Sequence, residues 1–245
     1  MTNTTSHPQS SLESRWARLG VLFNCDPSPE SPDIERVLLD TARALSSNPR
    51  LYPLAITWLI QHGLFVARHR LKHLITTELE AEHQPALGLL LDEAIAHGAP
   101  AELRIARDAC RPHDHARPLF GDYRSPSLAH IAVSQASDLS RKWGLWAPPV
   151  QPKPDAVRPP RWILAQNPTA YDRIVRRGDL RASILEALRL DFGGVARSLS
   201  VLGRATGATR VAVRSAVESL VQEGAVTADP GHRGTHEREI ELVAA

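Results

Sequence analysis

Residues 202–226 read LGRATGATRVAVRSAVESLVQEGAV. This order spells the end of a short helix, a turn, a longer helix and the start of a strand. In the longer helix Val213, Ala216, Val217, Leu220 and Val221 fall at i, i+3, i+4, i+7 and i+8, a single buried stripe. Thr209 precedes it as an N-cap candidate, and Gly224 follows as a C-cap glycine. The shorter helix, 198–206, brings Leu199, Leu202 and Ala205 to the same core. Gly207 occupies the turn, where a positive φ is often required. Two helices joined this closely cross steeply.

The pattern continues on both sides. Residues 225–228 read as a strand, Asp229, Pro230, Gly231 and Gly234 carry turn chemistry, and 237–243 alternate with Ile240 and Leu242 on one face. Upstream, 167–177 predict a short helix. Residues 180–190 predict another, with Leu180, Ile184, Leu185 and Leu188 on one side and Gly193 and Gly194 at its end. Three helices followed by a two-stranded hairpin is the order of a winged helix-turn-helix.

The residues also resemble a known group. The stretch above, with GHRGT after it, resembles the winged-helix domains of GntR-type and MarR-like bacterial regulators. Thr209, Arg210, Val213, Arg214, Ala216, Leu220, Gly224 and Val226 match that pattern, and His232, Arg233, Gly234 and Thr235 match its wing tip. The resemblance covers residues 179–243. It implies a bacterial DNA-binding regulator, a homodimer on double-stranded DNA; the polar N-terminal stretch and the lack of an apolar run predict a cytoplasmic protein, and the lack of enzyme motifs predicts no catalytic role, cofactor or metal. A recognition helix presents its N-terminal residues to base edges. The implied DNA-binding residues are therefore Thr209, Arg210, Arg214 and Ser215, with Arg204 on the preceding helix and Arg233 at the hairpin tip. The chain departs from the GntR pattern in placing this unit C-terminally. It also carries Val211 and Ala212, which can touch a thymine methyl but cannot hydrogen-bond a base edge. A protein partner in place of DNA, as in an antitoxin or phage-defence component, is the alternative those two residues raise.

The remainder of the chain predicts a mainly α fold. Residues 1–11 read as disordered, and 12–146 as an all-helical domain, either a bundle or a short stack of helical hairpins. Within it Ser31 and Pro32 predict a helix start, and helices are expected over 33–45, 51–61, 64–79, 85–97, 101–110 and 128–143. Six of the fifteen residues in 147–161 are proline, which predicts an extended linker, leaving 162–245 to the winged helix.

Composition bounds the function. The chain is 42% hydrophobic and 23% charged, ordinary for a globular protein. No apolar run approaches the roughly 18 residues of a membrane span. Residues 1–110 carry 10 Lys+Arg against 13 Asp+Glu, and 111–245 carry 19 against 14, so the basic surplus lies in the C-terminal half. Cys25 and Cys110 read as reduced thiols. His69 and His73 share a helix face but lack the glutamate of H-E-x-x-H, and His113 and His115 read as a polar loop. No phosphate-cradling glycine motif and no nucleophile elbow is present. Trp58 and Phe65 are expected in the core.

Overall fold

The computed structural model describes residues 11–121, 126–228 and 239–243. Among these, thirteen α-helices and two small sheets make a mainly α chain. The expected disorder of 1–10 lies outside the described residues. Ser11 is ordered, and its hydroxyl caps α1 (Leu12–Arg18) by accepting from Ser14 N at 3.1 Å.

The first core is built from α1, α2 (Ile34–Ala44), α3 (Leu51–His62), α4 (Arg68–Thr77), α5 (Gln84–Ala96) and α6 (Arg104–Arg107). Helices α3 and α5 are apolar nearly all round, so both are buried and pack on each other. Helices α2 and α6 flank α5, and α4 joins α2 to α6, which makes a bundle and not a linear stack. Trp16 and Trp58 meet edge to face at 5.5 Å. Each indole has a hydrogen-bond acceptor, Thr41 Oγ1 at 2.9 Å and the Leu19 carbonyl at 2.8 Å. Buried indoles need such partners.

Several expected boundaries move for local reasons. Asp33 caps α2 instead of Ser31, its carboxylate accepting from Arg36 N. The helix expected over 64–79 begins at Arg68, after a 3₁₀ turn at Gly63–Phe65, and Leu64 faces outward at 51% exposure. The helix expected over 128–143 divides into α7 (Pro126–Gln135) and α8 (Asp138–Lys142), because Ser137 stops one and caps the other.

A parallel pair, β1 (Arg117–Pro118) and β2 (Leu145–Trp146), closes the far side. The proline-rich segment then does not stand apart as a spacer. Ala147, Val150 and Val157 are buried in the first core, where Leu22 N donates to Ala156 O at 2.9 Å and Arg158 N to Gly20 O at 2.7 Å. Helices α9 (Pro160–Gln166) and α10 (Pro168–Val175) belong to the same core through Ile163 and Ala170. The change of core comes after Ile174, not at 147–161, because Ala147, Val150 and Val157 carry that segment into the first core.

The second core comprises α11 (Leu180–Asp191), β3 (Val195–Ala196), α12 (Leu199–Thr206), α13 (Arg210–Gln222), β4 (Val226–Ala228) and β5 (Ile240–Leu242). The three strands are antiparallel in the order β3-β5-β4, with Ala196 and Ala228 both opposite Ile240. Strand β3 was not expected from the sequence. The turn expected over 229–236, with Glu237 at the head of the second strand, lies outside the described residues.

Packing in the first core gives a direct test. A Cβ on Gly88 of α5 would lie 2.4 Å from two ring atoms of Trp143. That ring cannot step aside, because its Nε1 donates to Asp92 Oδ2 at 3.0 Å and Asp92 also holds Lys142 and Arg107. Gly88→Ala is therefore expected to cost about 1–3 kcal/mol by overpacking. Urea denaturation of the variant would show a lowered midpoint, and an unchanged midpoint would mean the ring has room to move.

Candidate nucleic-acid interface

Helix α13 begins at Arg210 because Thr209 caps it, the threonine hydroxyl accepting from Ala212 N at 3.3 Å. Its inner face is Val213, Ala216, Val217 and Leu220. Val221, expected in that stripe, is 43% exposed, one residue before the end of the helix at Gln222. The turn before α13 rests on Gly207, whose φ of +73° is left-handed.

The opposite face carries the charged candidates. Arg210, Arg214 and Ser215 are exposed and sit on the outward side of α13. Thr209 is exposed as well, with its hydroxyl engaged in the cap. Arg204 is exposed on α12 and lies toward α4, close enough for its charge to act on His73. Burial holds the His73 imidazole below its usual range, with Asp191 opposing and Arg204 adding to the effect. Arg233 lies outside the described residues.

Ion pairing over residues 179–228 is lopsided. This stretch holds six arginines and five acids. Four of the acids are paired: Asp179 and Glu223 with Arg181, Glu186 with Arg173, and Asp191 with Arg36 and Arg70. Glu218 is the fifth. Among the described residues, Arg189, Arg197, Arg204, Arg210 and Arg214 have no ion pair. A surface whose acids are consumed internally presents uncompensated positive charge. Arg197 was not singled out in the sequence. It is exposed one residue before Ser198, whose hydroxyl caps α12 by accepting from Val201 N, and a basic residue before a capped helix was the signal that could have found it.

The first core holds this unit in place. Helix α12 packs on α4, and a Cβ on Gly207 would lie 2.2 Å from the His69 ring. His73 meets Phe192 at 6.2 Å between ring centroids. The two histidines that share a face of α4 thus serve the junction between cores. Among the described residues no three His, Cys, Asp or Glu side chains group as metal ligands. Below them lies a buried ion network. The Arg70 guanidinium reaches Asp33, Glu35 and Asp191, each at 2.6 Å. Arg173 on α10 reaches Glu35 and Glu186 at 2.7 Å, and Arg36 donates to the Leu190 carbonyl at 2.9 Å. Helices α2, α4 and α10 are in this way pinned to α11.

Cys25 and Cys110 are free, and burial pushes the Cys110 thiol up to about 12. His113 donates its backbone N–H to the Trp143 carbonyl at 3.2 Å, which ties its loop to α8.

No known protein family, no curated protein and no solved structure matches this chain.

Proposed function

We propose that the chain is a DNA-binding regulator, and not an enzyme, whose residues 179–243 form a winged helix-turn-helix with its wing between β4 and β5. The observation that carries this reading is the pair Arg210 and Arg214, exposed without ion pairs on the outward face of α13. The order helix, strand, helix, turn, helix, strand, strand supports it, as does the paired state of four of the five acids in residues 179–228. In this reading Arg210, Arg214 and Ser215 face base edges, while Arg197, Arg204 and Arg233 meet phosphate. The protein acts as a homodimer, with recognition helices about 34 Å apart or a multiple of that. The helical part serves dimerisation or the binding of a partner or ligand. Among the described residues no helix is long and apolar enough to cross a membrane.

One observation favours a second reading, in which α13 docks on a protein. Val211, at the head of the helix, is 78% exposed. With the exposed Ala212 it stands among Thr209, Arg210, Arg214 and Ser215, however, and two small side chains in a polar face are not an apolar patch of several hundred Å².

A titration against the upstream DNA of the protein's own coding region and against random duplex, at two salt concentrations, tests the proposal. The Arg210→Ala/Arg214→Ala variant should remain folded by circular dichroism, because neither side chain is buried. Each arginine that reads a guanine is expected to contribute about 1–3 kcal/mol at the specific site. Loss of phosphate contacts would instead weaken all DNA alike and flatten the salt dependence. Unchanged affinity of the folded variant at low salt would sink the DNA reading and leave the docking reading standing.

A further inference from the structure

Between the two cores lies a cavity of about 560 Å³. That volume is in the range of small-molecule sites, roughly 300–1,000 Å³. One wall is the 3₁₀ turn and the head of α4, from Leu64 to Arg70, and the other is the face of α11 that carries Leu185 and Leu190. Leu64 and Leu190 are among the few large apolar side chains left exposed, at 51% and 38%. Both line this space.

The charges around the cavity do not balance. Arg70, Arg173 and Glu186 line it but are consumed by the buried network. Arg177 only approaches Glu102, at 3.9 Å. Arg68, Arg176 and Arg189 have no ion pair among the described residues, against Asp172 as the one acid of the lining in that condition. The Nε of Arg68 is, in addition, buried without a hydrogen-bond acceptor. What the cavity offers a ligand is the guanidinium of Arg68 on its wall without an ion pair, which an oxygen anion can meet with charge-assisted hydrogen bonds.

We propose that this cavity binds an organic anion, with a carboxylate or phosphate on Arg68 and an apolar body between Leu64 and Leu185. The inference deepens the regulator reading by naming the ligand class of its helical part, and any effect on DNA rests on that reading. Because the walls come from both cores, a bound ligand adds to the α4–α11 contact that Arg70 and Asp191 already make, and α11 carries the α12–α13 unit with it.

The test uses the full chain and no DNA, so it stands or falls apart from the DNA reading. Anilinonaphthalene sulfonate, an aromatic anion that fluoresces on leaving water, is the reporter, and dodecanoate, dodecyl phosphate and the uncharged dodecanol compete for it. Saturable one-site binding is expected. Displacement by the two anions should be about tenfold or more stronger than by dodecanol, and the stronger of the two identifies the headgroup. Arg68→Met should remove that preference while leaving dodecanol unaffected, which a merely structural role would not do. Ser183→Trp, at an exposed lining position, should block all ligands in a protein still folded by circular dichroism. Absent binding, equal displacement by alcohol and anions, or binding indifferent to both substitutions would overturn the proposal. If anions bind as expected while DNA does not, the cavity stands and the regulatory role falls.

Discussion

Arg70→Met is expected to destabilise the fold by about 3–5 kcal/mol, the cost of leaving buried charges without their partner. The arginine is 4% exposed, and two of its three carboxylates, on Glu35 and Asp191, are buried with it. Glu35 would retain Arg173 and the Ala67 N–H, and Asp191 would retain Arg36 at 3.2 Å. Three carboxylates would then share two guanidinium groups at the edge of the network, without the cation at its centre. Urea denaturation near neutral pH measures the loss. Its pH dependence carries the signature of charge. Burial pushes the Asp33 carboxyl up, but hydrogen bonds and charge from Arg70, with Arg36, outweigh this and hold it at about 2. Its folded value lies below the ordinary 3.8, so its contribution, about 2 kcal/mol, is present above pH 4 and lost as pH falls toward 2. In Arg70→Met the Asp33 carboxyl loses the partner that does most to hold it down and so rises, and the penalty should shrink as pH falls from 4 toward 2. A penalty that is small, or flat with pH, would mean that this junction is not held by charge.

That junction shows where the sequence was silent. Arg70 and Asp191 are 121 residues apart, and each taken alone reads as a solvated surface charge. Nothing local tells a paired arginine from a free one, which is why Arg70 escaped notice while Arg210 and Arg214 did not. Their exposure follows from helical phase alone: Val213, Ala216, Val217 and Leu220 define the inner face, and the arginines occupy the remaining arc. The limits of α13 were legible for the same reason, since Thr209 and Gly224 are signals read within one turn. Strand β3 was not. Val195–Ala196 is too short to alternate and exists because it pairs with β5, more than forty residues on. The proline-rich segment misled in the opposite direction. Its composition matches an exposed spacer, and only the tertiary contacts of Val150 and Val157 place it in the core.

The two cores differ in size, and that difference yields a prediction about how α13 is held. Trp58 has no exposed surface and touches Trp16, His62 and Phe65. Trp58→Ala should cost about 3–5 kcal/mol. Leu220 is 1% exposed in a second core of eleven buried residues among those described, and Leu220→Ala should cost about 2–5 kcal/mol. All five tryptophans, Trp16, Trp58, Trp143, Trp146 and Trp162, precede the second core, so tryptophan fluorescence reports the first core alone. Circular dichroism sees the helices of both. In Leu220→Ala the dichroism transition should begin at lower urea than the fluorescence transition, because a small core that loses a central leucine lets go while the bundle persists. In Trp58→Ala both should move down together, since α12 rests on α4 and loses its platform. Non-coincident probes are the mark of a broken two-state transition. If the proposed DNA binding holds, Leu220→Ala should lose it at the urea concentration where the dichroism changes and not where the fluorescence does. Coincident transitions in both variants would instead show one cooperative unit, with the charged junction and the α4–α12 contact strong enough that α13 folds only as part of the whole chain.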